Sequence, residues 1–333
     1  EGREIALELA AECDVVVENF RPGVMDRLGL GFKELCKRNE SVILVSISGF
    51  GKDGPLASKP SFDLVTQARS GVMSITGEPT GPPIKMGLPM GDLGGGLWGA
   101  IAVLAALYRR SHDRTPQHVD LSLLEGLMGL LGYLAQYAML TEKAPERVGS
   151  SHHHVVPYGR FAAKDGHIVL ALHVGPFWRR FCIAAGREDL LEDDRFRTTD
   201  DRRNNREELI VIVEEIFRER TRAEWDELLD EADVPFGPIL DVVEALEQEQ
   251  VSSRDAFQTF EHPTAGTVRV LGTPVRFADS ERTPPSPPPL LGQHTREVLT
   301  EMLGFDAARI ERMVKSGVIE EAAESEPLEK SGS

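Results

Sequence analysis

Apolar residues fall along this chain in two alternating textures. Runs of consecutive branched and aliphatic residues, Val15-Val16-Val17 and Val42-Ile43-Leu44-Val45-Ser46-Ile47-Ser48, read as strands bounded by turn residues. Around them lie stretches with helical spacing: residues 3–10, a short piece at 24–28, 32–38, and 62–71 led by Ser61 or Asp63. Strands separated by helices predict an α/β fold with a Rossmann-like, doubly wound parallel sheet. Ligands of such sheets sit at the carboxyl ends of the strands, where Asn19-Phe20-Arg21 and Ser48-Gly49-Phe50 fall.

Residues 97–110 are apolar nearly all around, which predicts a buried helix. A strand at 118–122 and a further apolar helix over 123–140 follow. From Ser151 the texture becomes that of a smaller α/β module, with a turn at Asp165-Gly166, a strand at 167–172 and polar helices at 176–185 and 206–231. A hairpin-like pair is expected over 268–277, a stiff proline linker at 284–289 and a last helical region at 295–318. This divides the chain into a large domain at 1–145, a small domain at 146–283, a return to the large domain at 284–320 and a disordered tail at 321–333. The chain opens on a helix that runs straight into a strand, with neither Met nor a leader pattern. That opening reads as the middle of an α/β domain and sets the expectation of a missing N-terminal piece.

Composition fits a large core: 41% hydrophobic and 27% charged residues over 333 positions are those of an ordinary enzyme with about two domains. A formal net charge of -17 argues against nucleic acid or an anionic membrane as main partner, while leaving room for a local basic pocket. The three cysteines, Cys13, Cys36 and Cys182, have neither disulfide nor zinc spacing, and a reducing cytoplasm is expected. The longest apolar run, 97–107, is short for a membrane span and is interrupted by Gly99.

Candidate chemistry concentrates in Gly87-Leu88-Pro89-Met90-Gly91-Asp92-Leu93-Gly94-Gly95-Gly96, one carboxylate set among glycines. Glycines allow tight turns and close ligand approach, which makes Asp92 a candidate nucleophile. An Asp before a helix is also an ordinary N-cap, and that reading stands beside the first. With an ordinary carboxyl pKa of about 3.9, Asp92 needs no general base at neutral pH, and N–H groups opening a helix after Gly94 are candidates for stabilising developing negative charge. His152-His153-His154 cannot all face one ion from an extended segment, so no metal site is assigned. Lys59 and Lys85 are read as solvated, with a phosphate as the alternative partner.

In order along the chain, Val17-Glu18-Asn19-Phe20-Arg21-Pro22-Gly23, Ser48-Gly49-Phe50-Gly51, Phe62-Asp63-Leu64 with Gln67-Ala68, Gly91-Asp92, Pro157-Tyr158-Gly159, Val234-Pro235, His262-Pro263 and Pro287-Pro288-Pro289-Leu290-Leu291-Gly292-Gln293-His294-Thr295 resemble the class III CoA-transferases, the CaiB/BaiF family. The resemblance extends to about residue 320. It departs in the expected lack of the family's opening βα segment and, in a smaller way, at Ser111-His112-Asp113-Arg114-Thr115-Pro116-Gln117, where the family carries a glycine-rich turn. It implies an acyl-CoA:carboxylate CoA-transferase with Asp92 as the catalytic aspartate, passing through a mixed anhydride and an aspartyl-CoA thioester. Asn19, Phe20, Val24 and Arg27 are implied as CoA contacts, and Asp63 as an acidic residue near the reaction centre, with a helix cap or a solvated arginine as the plainer readings of Asp63 and Arg27. Coenzyme A enters as substrate, with no permanently bound cofactor, and an interlaced homodimer is implied.

Two alternatives stay open. A 2-methylacyl-CoA racemase of the same family would need a His before the residue matching Asp63, where this chain has Phe62. A catalytically inactive CoA-binding fragment is the other. Succinate is the expected donor acid, and the residue that would clamp a second carboxylate is left open among Arg69, Arg160 and Lys85.

Overall fold

A computed structural model describes residues 1–322. They divide into two compact units, the first made of Glu1–Val72, Lys85–Lys143 and the chain from Glu249 onward, the second of Met73–Ile84 and Ala144–Gln248. The expected boundaries after 145 and after 283 compare with a departure at Ala144 and a return at Glu249. Apart from its first two positions, the expected disordered tail lies outside the described residues.

In the first unit, α1 (Gly2–Glu12) leads into β1 (Val15–Glu18), and α2 (Val24–Arg27) and α3 (Phe32–Cys36) lead into β2 (Ile43–Ser48). Next come α4 (Asp63–Arg69), α6 (Met90–Arg110), β3 (Gln117–Ser122), α7 (Leu123–Leu130) and α8 (Tyr133–Thr141), while the short α5 (Val72–Ile75) between α4 and α6 belongs, past Val72, to the second unit. β1, β2 and β3 form a parallel sheet with β2 in the middle, in the register Val17↔Val45↔Val119.

Strand alternation explains why the sheet is covered twice. Ile43, Val45 and Ile47 face α6, where they pack with Val103, Ala106 and Leu107. Val42 and Leu44 face the other way, into a cluster with Leu7, Ala10 and Leu35 from α1 and α3. The doubly wound arrangement is therefore present, and the strands occupy the expected positions.

Two of the helices expected here, at 97–110 and at 123–140, form differently. α6 begins at Met90 rather than at Leu97, because Gly91, Gly95 and Gly99 form a buried ridge four residues apart that lets its backbone approach α4, α7 and β2. A Cβ at Gly95 would lie 2.2 Å from Leu123 Cδ2, and one at Gly91 would lie 2.6 Å from Thr66 Oγ1. Packing thus overrides the low helix propensity of glycine. Nor is this helix buried all round: Leu93, Leu97, Ile101, Leu104 and Tyr108 line an exposed face, Leu97 and Leu104 at 65% and 67% exposure. Its greater length makes it, among the described residues, the single unbent helix long and apolar enough to cross a membrane, where only short apolar runs were expected. Residues 123–140 are two helices bent by 86°, α7 and α8, with Gly132 at φ 55° in the break.

In the second unit β4 (Tyr158–Ala163), β5 (Gly166–Ala171) and β6 (Phe236–Pro238) form an antiparallel sheet. Its core stacks Phe161 on Phe217 at 5.2 Å, with Trp225 donating its indole N–H to Phe217 O at 2.9 Å. The expected helix at 206–231 is two, Arg206–Phe217 and Arg222–Glu231, parted where Thr221 and Glu224 form a capping box. Back in the first unit, the hairpin pairs β7 (Phe257–His262) with β8 (Gly266–Leu271), turning through Pro263-Thr264-Ala265 rather than lying at 268–277. The last helical region is likewise two, Thr295–Glu301 and Ala307–Lys315, separated at Gly304 with φ 65°.

Candidate active site

At the carboxyl ends of β1 and β2 opens a hollow of about 620 Å³. The loop after β1 supplies Asn19, Phe20, Arg21 and Pro22; the end of β2 supplies Ile47, Ser48 and Gly49; Lys59, Ser61 and Phe62 come from the approach to α4; α6 supplies Asp92, Gly95 and Gly96.

Local contacts hold these pieces in place. Asn19 Nδ2 donates to Ile47 O at 2.7 Å, tying the β1 loop to the end of β2, and Phe20 N–H donates to Glu18 Oε2 at 2.7 Å. Leu124 N–H donates to Gly49 O at 3.1 Å, while a Cβ on Gly49 would lie 2.3 Å from Ser61 Cβ. Only glycine at 49 lets the chain before α4 close down on the sheet. The buried hydroxyls of Ser48 and Ser61 have no hydrogen-bond partner among the described residues.

Asp92 is the third residue of α6, and its side chain makes no capping bond. The N-cap reading therefore gives way to a carboxylate that stands open to the hollow. Atoms crowding it penalise its charge, and the nearby Asp63 carboxylate adds repulsion, so its pKa is raised above the ordinary 3.8. Because α6 starts at Met90, N–H groups after Gly94 lie inside the helix ladder, and the expected helix N-terminus after Gly94 is not there to stabilise an oxyanion. The glycines divide their tasks: Gly91, Gly95 and Gly99 serve packing, whereas Gly96 faces open space at the hollow.

The structure brings Asn19, Phe20 and Asp92 into one cavity. Asp63 stands behind it, its carboxylate accepting the N–H of Gly91 at 2.7 Å and the Nε2 of Gln67 at 2.7 Å. It opens α4 without capping it. Val24 and Arg27 lie on α2 and line neither this hollow nor the one of about 770 Å³ that adjoins it through Phe20, Arg21, Pro22 and Ser48. Of the three candidates for a carboxylate clamp, Arg69 lies over the Phe50 ring, Arg160 belongs to the second unit beside Glu78, and Lys85 is exposed. The cations that do line the hollow are Arg21 and Lys59, and Arg21 was readable from its place beside Asn19-Phe20 at a strand's carboxyl end.

His152 uses Nδ1 to accept the N–H groups of His154 and Val155, a turn-forming role. Among the described residues no group of three His, Cys, Asp or Glu side chains is placed to hold a metal ion.

The same architecture is found in a solved structure, a CAIB/BAIF family protein from Brucella suis, with a TM-score of 0.80 and 32% identity, covering 90% of this chain and 78% of that one. In sequence the chain is 35% identical over 320 residues to the succinyl-CoA:glutarate CoA-transferase of Mus musculus, covering 96% of this chain and 73% of that protein. It is 36% identical over 277 residues to the acetyl-CoA:oxalate CoA-transferase of Acetobacter aceti, covering 83% and 70%. Residues 1–295 match CoA-transferase family III, and the chain belongs to that family of CoA-transferring enzymes.

Proposed function

We propose that this chain moves CoA from an acyl-CoA thioester to a free carboxylic acid by covalent chemistry at Asp92. One observation carries the reading: the cavity holds a single carboxylate, on a helix, partly desolvated and accessible. In the first step a carboxylate oxygen of Asp92 attacks the thioester carbonyl, and the C–S bond breaks to release CoA thiolate and leave a mixed anhydride. The thiolate then attacks the Asp92 carbonyl, expelling the donor acid as its carboxylate and forming an aspartyl-CoA thioester. An acceptor carboxylate attacks that thioester, thiolate leaves again, and its return to the acceptor's acyl carbon regenerates Asp92. Each intermediate stays activated, so no nucleotide hydrolysis is required.

Arg21 and Lys59 are the cations that line the cavity, suited to a CoA phosphate or to the second carboxylate of a short dicarboxylic acid. The related enzymes named for succinyl-CoA, glutarate and oxalate support a dicarboxylic substrate class. A racemase would need a second proton-transfer group facing the substrate's α-carbon. Phe62 occupies that place at 79% exposure, and no histidine lines the cavity. The apolar face of α6 supports assembly with a second copy of the chain.

Incubation with succinyl-CoA and related thioesters, a hydroxylamine quench and peptide mass spectrometry test the reading. A hydroxamate on Asp92 is the expected result. A catalytically active protein left unmodified at Asp92 refutes it.

A further inference from the structure

Gln67 is fully buried on α4, and every polar atom of its amide is engaged. Its Oε1 accepts the N–H of Met86 at 2.9 Å; its Nε2 donates to Asp63 Oδ2 at 2.7 Å and reaches Leu88 O at 3.4 Å. Asp63 Oδ1 in turn accepts the N–H of Gly91 at 2.7 Å. The N–H of Gly91 is one of the donors that a helix start leaves without an intrahelical partner. Two side chains of α4 thus grip the chain at both ends of the 86–91 segment, and the residue after that segment is Asp92.

We infer that Gln67 is a positioning residue that, through Asp63, clamps the segment leading into α6 and so sets where the Asp92 carboxylate stands in the cavity. The inference rests on the covalent reading of Asp92 given above.

Its logic is one of matching donors to acceptors. The relay has a backbone donor at each end, Met86 N–H and Gly91 N–H. Between them the two side chains have to present three acceptors and one donor, which Gln67 and Asp63 do. Asp63→Asn leaves two donors and two acceptors, and however the two amides are flipped, one donor faces another. Gln67→Glu leaves four acceptors once both carboxyls are ionised, so that two carboxylate oxygens meet at the place of a 2.7 Å hydrogen bond, and its loss is read at a pH above that at which the pair gives up a shared proton. The double variant Asp63→Asn with Gln67→Glu restores three acceptors and one donor with the charge moved one residue along the relay. It forfeits only the long contact to Leu88 O.

The test measures the rate of Asp92 acylation by succinyl-CoA, trapped with hydroxylamine, together with the donor KM and the unfolding midpoint of each near-isosteric variant. Displacement of a reacting group by about 1 Å lowers a rate by about 100-fold, and that is the expected loss in each single variant, with KM held within about threefold. The double variant is expected to recover to within about tenfold of wild type. Single variants that acylate at the wild-type rate overturn the inference. So does a double variant no faster than the singles, or a loss that merely tracks the amount of folded protein. A wild-type chain that gives no Asp92 hydroxamate removes the covalent reading and the clamp with it, whereas a labelled wild type matched by every variant removes the clamp alone.

Discussion

At the scale of the residue, Asp92 is a group that folding holds in an unfavourable state. Its pKa in the folded chain lies above the ordinary 3.8, so the folded state binds that proton more tightly than the unfolded chain does. Stability from this group is fully present below the ordinary value and is lost as pH rises through the raised one, which leaves the ionised form destabilising at neutral pH. Asp92→Asn is therefore expected to raise the thermal unfolding midpoint at pH 7, with the gain fading in acid as wild-type Asp92 takes up its proton, while CoA transfer falls at least ~10³-fold. Thermal scans at both pH values, beside a transfer assay, check both halves. This carboxylate stood out in the sequence because glycines flanked it. What surrounds it was harder to see, since Asp63 meets Gly91 across 28 positions and Gln67 reaches Met86 across 19, contacts that no local spacing encodes. Lys59 was hidden for the same reason, since the approach to α4 meets the loop after β1 only once the parallel sheet has formed, whereas Arg21 was legible beside Asn19-Phe20.

At the scale of the element, α6 is where local propensity and packing disagree. Residues 87–96 have the composition of a loop, yet the helix starts at Met90, and at Gly91 and Gly95 its neighbours leave room for no side chain. β1 and β2 were readable because a run of branched apolar residues bounded by turn residues needs no knowledge of its partners, whereas the hairpin, expected at 268–277, forms from Phe257–His262 and Gly266–Leu271. Breaks inside helical stretches were not readable, since Gly132 and the Thr221 capping box act through backbone geometry rather than periodicity. Two adjacent glycines separate the effects. Gly95→Ala drives a methyl into buried Leu123 and is expected to destabilise the fold by about 1–3 kcal/mol. Gly96→Ala meets open space and is expected to stabilise by roughly 0.5–1 kcal/mol while narrowing the cavity and slowing transfer. Urea unfolding of the two variants, with rates measured on the same samples, decides between them.

At the scale of the whole molecule, the exposed apolar face of α6 is the largest departure from the expected burial. Covering side chains such as Leu97, Ile101 and Leu104 is worth roughly 1.5–3 kcal/mol each, enough to hold two copies together if several are covered at once. Sedimentation at micromolar concentration is expected to give the mass of a dimer, and Ile101→Glu with Leu104→Glu the mass of a monomer. A monomeric wild type contradicts this. The face begins at Leu93, the residue next to Asp92. Under the covalent reading proposed above, a second copy seated on that face is expected to shield the neighbouring Asp92 from bulk water, and the branching of the acyl intermediate between transfer and hydrolysis is then expected to vary with protein concentration: concentrated, exchange of CoA; dilute, loss of thioester to water.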